Sequence, residues 1–540
     1  MRSLIRAIAA LFIFSGAINA VAKDAKLAAE SAPPSPLGLA IITTDNVALR
    51  ASPRDSAQTN ATLWAGETVE IRGQKLDYLQ VYDYRRERAG YVRVDVARRL
   101  SATAADAPEL LTTVRFLRDV GSADALGIGY TVAYLHAATA QALTSETGAE
   151  ALDALGSFAD RLSMRVSSTA VQSRATQAMH AAHIEVAAHH GIKFTNFDRD
   201  GRVQICYDGD AYRRVLALAA VPVSAPRVSP SLQARAALAL TKAECMASTL
   251  RPNEKTQLDE RRAEVLSRLS DNDVSQLPPS LKNRLNMRRA SVWAGLAYAR
   301  TRAAQLGATS SGNLTAAHAA TNALAALASV DKLALSDDDY PSYNDAAMRV
   351  NASRWASFPA IGSSADAGKT PKIKLVAASA GETCVLLIDA QNGVEKPLAK
   401  RCTFGIAWDA SATMNREGNA LTLAVQQQEA WREMWVFRKS ASGWQTSVLP
   451  PAAVNPVLGY VEFAGWVPGG AQVLVAREAR EAREAREAQP SLVESRYQRS
   501  FEIVNLDLLN TARKVSEPAL LGAFQRWQDP AWKAQTVSVR

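Results

Sequence analysis

The chain has 540 residues, 48% of them hydrophobic and 21% charged, with 62 Lys and Arg against 53 Asp and Glu. That is ordinary globular composition with room for roughly two to four domains, and it excludes a disordered or collagen-like chain. The formal net charge of +9 is spread without a dense basic cluster, so nothing in it argues for a nucleic-acid partner.

Met1–Ala22 reads as a secretory signal peptide: Arg2 and Arg6, an apolar Ala7–Phe14 run, then small residues in which Ala20-Val21-Ala22 offers a cleavage site. Cleavage is expected after Ala22, with Ala20 as the alternative. It removes two Arg and no acid, leaving 60 basic against 53 acidic residues and a net +7. No Cys follows the apolar run, so no lipid anchor is expected, and the predicted address is the periplasm or the exterior. Lys23–Pro36, with Pro33-Pro34 and Pro36, reads as a linker.

Leu39–Leu100 changes character. Short apolar runs (Ala40-Ile41-Ile42, Val47-Ala48-Leu49, Thr68–Ile71, Leu79–Tyr82, Tyr91–Val94) are divided by turn formers at Asp45-Asn46, Ser52-Pro53, Gly66-Glu67, Gly73 and Gly90. Strands this short with turns at this spacing predict a small β-barrel. Tyr78, Tyr82, Tyr84 and Tyr91 stand beside Arg85, Arg86, Arg88 and Arg93, a set that could form an aromatic groove with a cationic rim suited to carboxylate-bearing peptides. Half of those Tyr as core, and the Arg as a solvated hairpin, is the plainer alternative.

In the same stretch, Asn46–Pro53 resembles the "LNVRxGP" segment of bacterial SH3-like domains, Gly66-Glu67-Thr68-Val69 their central "Gxxv" turn, and Gly90-Tyr91-Val92 their closing "GWV". Ser52 stands where that family often has Gly, and Tyr78 and Tyr91 where it usually has Trp. The resemblance covers residues 39–100 alone. It implies a binding module for cell-wall glycopeptide or a protein partner, without catalysis.

Ser101–Pro108 is an Ala-rich linker, and residues 108–358 then turn helical, with Ala151–Val166, Ser168–His190, Pro230–Thr249, Asn253–Leu269, Ser280–Leu306 and Leu314–Val330 as the clearest segments. Short links predict antiparallel helical hairpins. Ala125–Leu143 is the nearest thing to a membrane span, but His136, Gln141 and two glycines mark it as a buried helix. Ile192–Asp208 interrupts the helices and reads as a β-hairpin turned at Asp200-Gly201. Its Asn196, Asp198 and Asp200 imitate the start of a calcium loop, whose closing Glu is replaced by Tyr207.

Ile361–Lys372 is a linker. Residues 373–540 are rich in strand signals, and two units, "SATMNREGNALTLAV…WREMWVFRK" and "FAGWVPGGAQVLVAREA…RSFEIVNLDLL", share a layout of turn, strand, loop and strand. They are similar in layout to WD40-type propeller blades, so this end is expected to be β-rich and propeller-like, whole or partial. Its tryptophans read as packing residues, with sugar stacking as the alternative. Arg477–Ala488, four copies of Arg-Glu-Ala, reads as an exposed loop. The fold class is therefore multi-domain α+β: an SH3-like barrel (39–100), an all-α middle (108–358) and a β-rich end (373–540).

Four cysteines in an exported chain predict disulfides. Three pairings are open, and Cys206–Cys245 with Cys384–Cys402 keep each bridge inside one expected unit. For metal, none is expected; His180, His183 and His190, with Glu185 nearby, are the candidates. Gly362–Thr370 imitates a P-loop, but it is one residue too long and is followed by Pro371 and a strand. Ser329–Lys332 fits SxxK without its partner motifs. Paired carboxylates of a glycoside hydrolase need not be near in sequence and stay open. No cofactor is expected. The functional expectation is a non-enzymatic exported binding or scaffolding protein, with a wall hydrolase or a metal-binding protein as alternatives.

Overall fold

A computed structural model describes residues 38–100, 103–168, 172–199, 202–221, 228–307, 315–358, 370–452, 458–482 and 495–535. The signal segment, the Lys23–Pro36 linker, the Asp200-Gly201 turn and most of the P-loop-like stretch lie outside them. The chain is mixed α and β, with fourteen α-helices and four sheets, antiparallel but for one short contact, among the described residues.

The first unit is a seven-stranded sheet: β1 (Leu39–Ile42), β2 (Val47–Arg50), β3 (Thr59–Leu63), β4 (Thr68–Lys75), β5 (Tyr78–Asp83), β6 (Arg88–Arg93) and β7 (Ala97–Leu100). They run in the order β3-β2-β6-β5-β4-β1-β7. The two-residue period of the strands sorts the side chains: Leu79 and Val81 join Ala40, Ile42, Val47, Leu49, Val69, Ile71 and Val92 in one core. The expected barrel does not close, because β3 and β7 end the path without meeting. In β1, Ala40 and Ile42 belong to the sheet's core while Ile41, on the opposite face, packs into the helical core. Helices, not a closing strand, cover that side.

The helical region contains α1 (Ala107–Arg118), α2 (Asp124–Ala137), α3 (Ala140–Leu143), α4 (Glu146–Val166), α5 (Arg174–His189), α6 (Asp210–Ala219), α7 (Pro230–Leu240), α8 (Pro252–Ser267), α9 (Asp271–Ser275), α10 (Pro279–Gln305), α11 (Ala316–Ala328) and α12 (Tyr340–Ser353). Their starts follow from capping chemistry: the Ser145, Ser173, Ser270 and Thr315 side chains accept first-turn N–H groups, and prolines open α7, α8 and α10. Two corrections concern length. Ala125–Leu143 is two helices, broken where Thr139 caps α3. Pro230–Thr249 stops at Leu240, and Thr241–Arg251 continues as loop.

Between α5 and α6, β8 (Phe194–Arg199) and β9 (Arg202–Tyr207) pair as the expected hairpin, from Phe194↔Tyr207 to Arg199↔Arg202. Two apolar cores fill the helices, and α7 serves both, with Ala236 facing the first and Ala234 and Ala237 the second. Ile406, Trp408 and Ala424 from the following β region complete the second.

That region holds β10 (Lys372–Ala377), β11 (Thr383–Ile388) and β12 (Ala399–Thr403) as a three-stranded sheet. An eight-stranded sheet follows, made of β13 (Ile406–Met414), β14 (Ala420–Gln428), β15 (Trp431–Ser440), β16 (Gly443–Leu449), β17 (Leu458–Val467), β18 (Gln472–Ala482), β19 (Ser495–Asn505) and β20 (Thr511–Val515). β13–β16 and β17–β20 are successive antiparallel meanders, joined by a short parallel contact, Trp431↔Gly459 and Arg432↔Tyr460. Both sheets are open, so the described strands do not close into a propeller ring. Two short helices, α13 (Gly522–Trp527) and α14 (Pro530–Gln535), end the described chain. Trp408, Trp431, Trp435 and Trp532 are buried, so packing, not sugar stacking, occupies them.

The Arg-Glu-Ala repeat is a further correction. Arg477–Ala482 continues β18, pairing with β17 out to Leu458↔Arg480 and with β19 out to Ala482↔Ser495. A three-residue repeat carries no alternation for the eye to find, yet the pleat still turns Glu478 into the interior. The later copies lie outside the described residues.

Cys206 is joined to Cys245 and Cys384 to Cys402. The first bridge ties β9 to the loop after α7; the second links partners in register across β11 and β12. Among the described residues, no helix is long and apolar enough to cross a membrane.

Candidate functional site

The sequence-derived groove residues do gather on one sheet face. On β5, Tyr78, Gln80 and Tyr82 alternate outward; opposite them on β6 stand Arg93, Tyr91 and Ala89. Gln80 and Arg93 are exposed and Tyr82 and Tyr91 half-buried. Tyr84, just beyond β5, is exposed and packs edge-on to Tyr82 at 4.9 Å. Arg72 lies 3.9 Å over the Tyr82 ring while pairing with Glu70 at 2.9 Å, a stacked cation that stiffens the aromatic surface. Tyr78 differs from the others. It is buried, and its hydroxyl donates to Asp55 at 2.5 Å, which pushes its phenol above the usual range. Arg93 bridges Asp55 and Asp95, each at 3.3 Å.

The cationic rim is smaller than the sequence implies. Arg85 and Arg86 turn inward onto Glu67, which is buried, at 2.8 and 2.9 Å. Arg86 also holds Asp83 at 2.7 Å, and Arg85 reaches Glu185 on α5. These guanidiniums neutralise buried carboxylates and join the sheet to the helices, so Arg88 and Arg93 alone remain at the rim.

The histidines belong to the same junction. His183 Nε2 meets Asp45 at 2.7 Å, His190 Nε2 meets the Gly66 carbonyl at 2.8 Å, and His180 Nδ1 meets Gln172 at 3.1 Å. Burial pushes His180 and His190 below the usual imidazole range. They are dispersed among three partners, and α5 turns His180, His183, Val186 and Ala187 inward while Met179 stays half-buried. Among the described residues the one group at ligand distances is Glu382, Cys384 and Cys402, and its two sulfurs form a disulfide.

Gly66 is the tightest point of this junction. Its φ is +90°, and a Cβ there would lie 2.2 Å from the Ala125 carbonyl oxygen. Gly129 on α2 faces the Gly66 carbonyl so closely that its own Cβ would lie at 2.7 Å. Gly66→Ala is therefore expected to lower stability by about 2 kcal/mol, from left-handed strain plus a forced separation of backbones. Urea unfolding followed by tryptophan fluorescence would measure it, and an unchanged midpoint would contradict this packing.

A second concentration of charge had no sequence signal. Between the two helical cores lies a cleft of about 810 Å³, walled by α7, α8, α10, α12, the Thr241–Leu250 loop and Glu429 at the β14–β15 turn. Lys255 bridges Asp259 at 2.7 Å and Glu429 at 2.8 Å; Arg262 holds Asp259 at 2.6 Å, Arg349 holds Glu429 at 3.0 Å, and Arg284 holds Asp339 at 2.8 Å. These cations keep the Glu429 and Asp339 carboxyls below their usual range against the opposing effect of burial. The residues come from five separate segments, and in sequence each reads as an ordinary exposed charge. Ser329, of the SxxK stretch, gives its hydroxyl to the Ala325 carbonyl at the end of α11.

Compared with known proteins, the chain matches no family model, no curated protein and no solved structure.

Proposed function

We propose that the chain is an exported, non-enzymatic binding protein whose N-terminal sheet docks the carboxylate-bearing peptide of cell-wall glycopeptide. The observation that carries this reading is the outward row of Tyr82, Tyr84, Tyr91 and Arg93, with Gln80 between them, open to solvent on one face. Flat rings give contact area at low conformational cost, and Arg93 at their edge, exposed and only loosely held at 3.3 Å by Asp55 and Asp95, keeps a guanidinium within reach of an incoming carboxylate. The SH3-like sequence pattern of residues 39–100 points the same way, as do the signal-like start and the two disulfides.

Binding is favoured over hydrolysis by the state of the acids. A general acid needs a raised carboxyl, whereas Asp339 and Glu429 in the cleft between the helical cores are held low by Arg284, Lys255 and Arg349.

The test is co-sedimentation of the chain from Lys23 onward with purified peptidoglycan sacculi, beside a Tyr91→Ala/Arg93→Ala variant. The wild-type chain is expected to pellet, with the variant about tenfold weaker, the loss of one stacked ring and one charge-assisted bond. If the wild-type chain stays in solution, the wall is not the partner; equal pelleting of both removes this face from the site.

A further inference from the structure

The cleft between the helical cores carries one charge that the protein does not neutralise. Seven Lys or Arg line it against four Asp or Glu. The acids are consumed in the bridges already described, with Asp345 taken by Arg480 at 2.7 Å. Arg235 and Lys242 turn to Asp153 and Asp160, at 3.0 and 2.8 Å. Arg288, on α10, is different. Its hydrogen-bond partner is the Thr241 carbonyl, and among the described residues no carboxylate lies within bridging distance.

That carbonyl is already taken by Arg262, at 2.6 and 3.1 Å. A guanidinium has five N–H donors in a rigid fork and cannot be discharged at ordinary pH. Most of those donors therefore remain for an incoming group. Burial without an acid partner pushes the Arg288 guanidinium down to about 10, with Arg262 adding repulsion and Glu244 partly offsetting it. A half-buried cation in this setting costs stability until an anion reaches it.

Apolar side chains stand between these charges. Leu238, Met246, Leu250, Leu281, Met287 and Val292 share the walls with Arg288 and with Ser291, one turn further along α10. Cys245, bridged to Cys206, fixes the loop that supplies Met246 and Leu250. A volume of about 810 Å³ falls within the range of small-molecule sites, and its mixed charged and apolar walls suit a ligand with both a charged and an apolar part.

We infer that this cleft binds a small amphipathic organic anion, its carboxylate or phosphate head on Arg288 and its apolar body against Leu238, Leu281 and Met287. The site is separate from the aromatic sheet face and does not depend on what that face binds.

The experiment is calorimetric titration of the full chain with octanoate, octyl phosphate and, as the neutral control, octanol. At least one anion is expected to bind about tenfold or more tightly than octanol, the two heads distinguishing a carboxylate from a phosphate site. Arg288→Gln should weaken that anion about tenfold while leaving octanol unchanged. Ala239→Trp, which fills the cleft from α7 without touching the charge, should abolish binding of both. Anions no tighter than octanol would overturn the inference, as would full anion affinity in a folded Arg288→Gln. Should Arg288→Gln fail to fold, retention of anion binding by Ala239→Trp would overturn it equally.

Discussion

Replacing Glu462 by Gln should lower stability by about 3–5 kcal/mol, the penalty for stripping the shared partner from buried ions. Glu462 is 4% exposed on β17 and sits between Arg432, which is fully buried, and Arg354, 4% exposed just after α12. Arg354 bridges it at 3.1 Å and Arg432 pairs with its other oxygen, while Arg432 also donates to the Asn351 carbonyl at 2.7 Å. Burial, joined by repulsion from Arg354, pulls the Arg432 guanidinium down even with Glu462 beside it, so two cations without their acid would face that cost unrelieved. An amide offers one carbonyl and no charge. Changing all three residues together to Met, Leu and Met should recover most of the loss, because a well-packed apolar set removes the desolvation cost outright. Urea midpoints of the single and triple variants, read by fluorescence of Trp431 and Trp435, decide the matter. A single variant as stable as the parent would mean the triad is not buried as described.

The second large effect is a gain, and it depends on pH. Glu478 is enclosed in the eight-stranded sheet beside Tyr460, and burial pushes its carboxyl up from 4.5 to about 7; Tyr460, Arg499 and Lys332 pull the other way. A carboxyl raised on folding contributes its full stability below its ordinary value, and that contribution is lost as pH rises through the folded one. The wild-type chain should therefore weaken between about pH 5 and pH 8. Glu478→Gln, which mimics the neutral acid, should match it at pH 5 and exceed it at pH 8 by up to about 3 kcal/mol, at about 1.4 kcal/mol per pH unit. Denaturation curves of the pair across that range test this. A difference that does not grow with pH would assign Glu478 to an ionised state throughout.

What could be read in the sequence divides along physical lines. The helices were legible as 3.6-residue stripes, Ala151–Val166 for α4 and Leu314–Val330 for α11, whereas their capping residues Ser145 and Thr315 emerge from the structure. The grouping of Tyr78, Tyr82, Tyr91 and Arg93 was legible from their closeness along the chain, while the β5–β6 register is what puts them on one face. The side of the sheet that helices cover was not legible, because Ile41 looks like any strand residue until α2 is laid against it. Nor was the destination of Arg85 and Arg86, whose acid lies across the β3–β4 turn at Glu67 and whose second partner is Glu185, 100 residues away. The cleft around Arg288 was the least legible feature, since its walls come from segments linked by no pattern and its meaning rests on which carboxylates are already taken. The Arg-Glu-Ala stretch misled for the opposite reason, because a conspicuous repeat hid an ordinary central strand.

The Gly66–Gly129 contact bears on how this architecture can be rearranged. Small binding sheets often travel between proteins as cassettes joined by a linker, and this one cannot be exchanged in that manner. Its β1 is clad on one side by α2, its buried Glu67 draws on arginines that also grip α5, and its Asp45 is matched to His183. A recipient would need two glycines and a histidine at matching positions to accept it. Sheet and first helices are thus one structural unit, whose seam sets its packing and whose solvent-facing tyrosines do not take part in it.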